Sequence, residues 1–73
     1  MLLDRIVELT SVQQRIVDSA ALIERQRELI LESEREGSDT TSAQTVLDSL
    51  LVSHALLEQS LNHLRRKIGV DDA

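Results

Sequence analysis

From residue 43 to residue 68, the positions Ala43, Leu47, Leu50, His54, Leu57, Leu61, Leu64 and Ile68 follow one another at alternating steps of four and three, and all but His54 are apolar. The same alternation runs earlier through Leu2, Ile6, Leu9, Gln13, Ile16, Ala20, Ile23, Arg27 and Ile30. There, Leu2, Leu9, Ile16, Ile23 and Ile30 form an unbroken apolar column seven residues apart. Ile6, Gln13, Ala20 and Arg27 form a half-apolar partner column, and Val12 widens the stripe on its other flank. A 4-3 repeat keeps one side of a helix apolar, so the pattern predicts two long helices with coiled-coil-like packing. At 1.5 Å per residue the first helix is about 50 Å long.

Glu36-Gly37-Ser38-Asp39-Thr40-Thr41 is the only punctuation between these segments. Gly37 can take the left-handed conformation just past a helix end without a Cβ penalty. Asp39 is a good N-cap for the second helix, and Thr41 with Gln44 makes a rival capping box. The reading is one helical hairpin: a helix over about 2–36, a turn over about 37–40, and a helix over about 41–68. Gly69 stops the second helix and a frayed tail covers 69–73. So short a turn makes the helices antiparallel, with residues whose numbers sum to roughly 75 facing each other. That places Arg66 and Lys67 near Asp4 and Glu8, His54 near Ala20 and Ile23, and Gln13 near Leu61 or Leu64. The expected fold class is all-α, an antiparallel two-helix hairpin.

Size then changes the picture. A chain of 73 residues sits at the edge of what one core can stabilise. There is no Cys for a disulfide or a thiolate zinc site. Oligomerisation is the support that remains. The second helix is also more apolar than one seam requires, because only Asp48 and Glu58 are charged between Thr41 and Leu64. Val46 and Leu51 flank its seam, and Val52 and Leu56 point nearly opposite. On the first helix Leu22 and Leu29 leave the main stripe. The hairpin is therefore expected to form a homodimeric four-helix bundle. Leu9, Ile16, Ile23, Ile30, Leu47, Leu50, His54, Leu57, Leu61 and Leu64 are its expected core and interface. Leu22, Leu29, Val52 and Leu56 are the candidate partner face, anchors for another protein if the dimer leaves them exposed.

Charge and composition exclude several function classes. The net charge of −5 repels phosphate, and the absence of Phe, Trp and Tyr removes the stacking on which single-stranded nucleic-acid recognition leans. Nucleic acid is therefore not an expected partner, although a Rop-like RNA-binding hairpin dimer is the rival reading on fold analogy. Asp4, Arg5 and Glu8 follow Met1-Leu2-Leu3 at once, so no secretory signal is expected. No apolar run is long enough to span a membrane. The expected location is the cytoplasm.

Candidate chemistry is sparse. Di-iron carboxylate bundles use Glu-x-x-His pairs, but Arg27, Leu31 and Leu61 stand three residues beyond Glu24, Glu28 and Glu58. The His-Glu-x-x-His zinc motif is absent too. Neither a metal nor another cofactor is expected. There is no nucleophile–base constellation and no phosphate-cradling Gly loop, so no catalytic residue is assigned. His54 reads as a polar residue that fixes alignment in an apolar seam, and His63, off the seam, as solvated. Glu24, Glu28, Glu32 and Glu36 line one solvated face. Arg65, Arg66 and Lys67 meet the negative end of the second helix dipole.

The segments Ile23-Glu24-Arg25-Gln26-Arg27-Glu28 and Gly37-Ser38-Asp39-Thr40-x-x-Ala43 resemble a group of short alphaproteobacterial proteins. These run Arg-Gln-Arg-Glu, then Gly-x-Asp-Thr-x-x-Ala, then a leucine-rich helix. The resemblance covers roughly the middle half of the chain. It implies a helical hairpin and brings no activity with it. Members of that group end in a His-x-x-His-Arg stretch, where this chain has Leu57, Ser60 and Leu61. No role attached to those histidines is carried over.

Overall fold

The computed structural model describes residues 2–69, apart from the side chain of Leu2. The expected place of Leu2 in the apolar column and the expected fraying of residues 70–73 lie outside the described residues. Two helices fill the span, α1 over Leu2–Arg35 and α2 over Thr41–Ile68. They pack against each other as a rod of 53 × 19 × 14 Å. The chain is an all-α helical hairpin.

Gly37 ends α1. Its φ of 75° is left-handed, its N–H bonds to the Glu34 carbonyl at 3.1 Å, and the Ser38 N–H reaches the Ser33 carbonyl at 2.9 Å. This pair of bonds is the Schellman arrangement, and it satisfies two carbonyls that the helix end leaves free. Gly69 ends α2 in the same left-handed region, its N–H shared between the Arg65 and Arg66 carbonyls.

The start of α2 follows neither sequence expectation. Thr40 is the cap residue by its carbonyl, which accepts the Gln44 N–H at 2.8 Å, but its side chain makes no capping bond. Asp39, one residue further out, supplies the missing acceptor. Its Oδ1 takes the Thr41 N–H at 3.0 Å and the Thr41 hydroxyl at 2.7 Å. The Thr41–Gln44 box therefore does not form, because both of its donors are engaged elsewhere. The hydroxyl of Thr41, and then its N–H, hold the Asp39 carboxyl below its ordinary pKa.

On α2 the seam positions Ala43, Leu47, Leu50, His54, Leu57, Leu61 and Ile68 are half-buried and Leu64 is buried. On α1, Ile23 and Ile30 are buried, and Leu9 and Ile16 half-buried. The second α1 column differs from the expected one. Val12, Ser19, Gln26 and Ser33 enter the seam, whereas Ile6, Gln13, Ala20 and Arg27 stay exposed. Either column would complete a 4-3 repeat with Leu9, Ile16, Ile23 and Ile30. The column containing Arg27 would have carried a guanidinium into the seam. The other brings small or amide side chains that find partners there.

The contact between Ser19 and His54 sets the register at a sum of 73 rather than roughly 75. That register places Leu9 opposite Leu64, Val12 opposite Leu61, Ile16 opposite Leu57 and Ile23 opposite Leu50. Gln26 then faces Leu47, and Ile30 faces Ala43. At the open end Arg5 Nη1 reaches the Lys67 carbonyl at 3.4 Å, one of the acceptors left free in the last turn of α2. Asp4 and Glu8 make no ion pair with Arg66 or Lys67.

Two predictions follow from the turn. A Cβ at Gly37 meets nothing within 4 Å, so Gly37→Ala carries only the left-handed backbone penalty, a loss of about 1–2 kcal/mol in urea denaturation. For Asp39 the folded pKa is depressed. Its contribution is complete above the unfolded value of about 3.9 and is lost as pH falls through the lower folded value. Thermal midpoints taken from about pH 5 to about pH 2 should therefore fall less steeply in Asp39→Asn than in the parent.

Candidate functional site: the Ser19–His54 layer and the exposed flanks

At mid-length the seam holds one fully polar layer. Ser19, 9% exposed, is the one buried polar residue among the described residues. Its Oγ lies 3.1 Å from His54 Nδ1. The other ring nitrogen, Nε2, lies 3.3 Å from Glu58 Oε1, one turn further along α2. The ring is mostly covered, its side chain 22% exposed, while Glu58 is 60% exposed at the rim. A carboxylate only accepts, so Nε2 carries the proton toward Glu58. In the neutral ring Nδ1 is then the acceptor and the Ser19 hydroxyl donates. Every polar atom in the layer has a partner, and no buried side-chain N or O is left without one among the described residues.

A serine, a histidine and a carboxylate in sequence have the outline of a nucleophile, a base and its orienter. The surroundings lack what acyl transfer needs. Ser19 lies in the middle of α1, where neighbouring backbone N–H groups are committed to the helix ladder and none is free for an oxyanion. No pocket opens among the described residues to admit a substrate. The chain of bonds links the two helices at one level. Among the described residues, no three of His, Cys, Asp and Glu cluster closely enough to hold a metal ion.

A second polar link lies nearer the turn. Gln26 Nε2 donates to the Ala43 carbonyl at 2.9 Å, reaching one helical turn from its opposite residue Leu47. Sequence reasoning missed both Ser19 and Gln26 because their column holds fewer apolar residues than its rival. The available signal was His54 itself. A covered imidazole needs a hydrogen-bonding partner at its own level, and Ser19 offers one where Ala20 does not.

The other candidate surface is apolar and open. Leu22, Leu29, Val52 and Leu56 are between 46 and 62% exposed. Leu3, Ile6, Val7, Val17, Leu31, Val46 and Leu51 are also exposed. No described helix is long and apolar enough to cross a membrane.

The Ser19–His54 bond predicts an asymmetric mutant cycle in chemical denaturation. Ser19→Ala strands His54 Nδ1 and costs about 1–3 kcal/mol. His54→Leu costs less, because the Ser19 hydroxyl can turn to a carbonyl of its own helix. In the His54→Leu background Ser19→Ala becomes nearly neutral, a coupling of about 1 kcal/mol or more. Additive effects would show that the layer carries no bond. No family model, curated protein or solved structure matches this chain.

Proposed function

We propose that the chain is a non-enzymatic structural or protein-interaction module that works as a homodimeric helical bundle. One observation carries this reading. The whole chain, its ends included, exposes 5579 Å², whereas a compact chain of 8.2 kDa exposes about 4500 Å². The surplus of about 1000 Å² matches the roughly 800 Å² that each partner buries in a standard interface.

The residues agree with the area. Ile23, Ile30 and Leu64 are the only buried apolar side chains among the described residues, and none is fully enclosed. A second hairpin covers both the half-buried seam and the flanking leucines. Recognition then works through helix faces, with Leu22, Leu29, Val52 and Leu56 as anchors. A second copy is the first occupant of that surface, and another protein is the alternative one.

Sedimentation equilibrium tests the proposal. The expected mass is twice the 8.2 kDa of one chain. A cooperatively folded species of single-chain mass that persists at about millimolar concentration contradicts it.

A further inference from the structure

We infer that two copies pair antiparallel, turn of one beside open end of the other, through one flank of the hairpin built on α2. This deepens the homodimer reading and rests on it.

The flank follows from the register. Beside its seam, α2 carries a second 4-3 row: Ser42, Val46, Ser49, Ser53, Leu56, Ser60 and His63. The row holds no Asp, Glu, Lys or Arg over about 32 Å of helix. Of its residues, Val46 and Leu56 are the large apolar ones, and both are exposed. In an antiparallel pair the corresponding flanks of the two helices come together on one face. Leu22 and Leu29 of α1 therefore share the face of Val46. On α1 both flanks carry charges, Asp18 and Arg25 beside Leu22 and Glu24 and Arg27 on the other side, so α2 decides: its opposite row holds Leu51 but is interrupted by Asp48, Glu58 and Arg65. Pairing there would desolvate those charges.

The orientation follows from how charge is distributed along the rod. Glu32, Glu34, Glu36 and Asp39 stand at the turn end against Arg35 alone. Arg5, Arg65, Arg66 and Lys67 of the open end are balanced by Asp4 and Glu8 and by Asp71 and Asp72, which follow α2 in the sequence. Two rods with acidic turn ends repel when those ends lie together, and head-to-tail pairing keeps them apart. A two-fold axis beside the middle of α2, near Val52 and Ser53, brings each acidic turn to the other copy's near-neutral open end. At the same axis Leu22 meets its own counterpart. Asp18 and Arg25, which flank Leu22 on that face, then approach Arg25 and Asp18 of the other copy.

Cysteine-free sequence makes the test direct. Ser53→Cys and Ser38→Cys are prepared as full chains, checked for helix content and mass, and treated with a short thiol-bridging reagent. Bridging of Ser53→Cys without bridging of Ser38→Cys is the expected result, since the first site lies beside the axis and the second at opposite ends of the pair. Bridging of Ser38→Cys places the turns together and overturns the orientation while leaving a homodimer. A dimeric mass with neither variant bridged overturns the α2 interface alone. A single-chain mass removes the homodimer reading and this inference with it.

Discussion

The structure depends on a seam only two residue columns wide. At a register sum of 73, layers built on Leu9, Ile16, Ile23 and Ile30 alternate with layers built on Val12, Ser19, Gln26 and Ser33. The first set is apolar throughout and supplies most of the burial. The second turns polar toward the turn and supplies hydrogen bonds. A hairpin held in this way hides Ile23, Ile30 and Leu64 and half-covers the rest. Each partly covered leucine recovers only part of the roughly 1.5–3 kcal/mol that full burial gives.

The polar layer and the open surface are two sides of one choice. Entry of Ser19 and Gln26 into the seam gives His54 a partner and ties α1 to the Ala43 carbonyl. The same rotation of α1 turns Ile6 and Ala20 outward. Burying the more apolar column instead would have placed Ala20 where His54 needs a donor and Arg27 where the seam is covered. A bonded polar layer also fixes alignment, because a slip by one turn takes Ser19 away from His54 Nδ1 and leaves that nitrogen unpaired. The stability that a lone hairpin gives up by this arrangement is what a second copy restores in the proposed bundle.

Much of the fold was legible because α2 offers a single way to read its 4-3 row, from Ala43 to Ile68. Gly37 was legible for a similar reason, since only a left-handed residue ends a helix so abruptly. The phase of α1 was not, because its apolar column can be completed three residues before or three after each member. Counting apolar side chains favours Ile6 and Ala20, and hydrogen-bond accounting favours Ser19 and Gln26. The register shifted with that phase. At the start of α2 the sequence offered Asp39 and Thr41 as competing caps, and the chain joins the two by a pair of bonds, with Thr40 between them. His54 was readable as a seam residue, but its link to Glu58 depends on a rotamer that spacing alone does not fix.

The most direct test of a hairpin completed by its own copy is the dependence of the thermal midpoint on protein concentration. Dimerisation stabilises by mass action, so raising the concentration 100-fold adds about 2.7 kcal/mol and lifts the midpoint on the order of 5–10 °C. A midpoint that stays fixed across that range would mean that the two-column seam is sufficient by itself, and that the exposed leucines of α1 and α2 complete no fold.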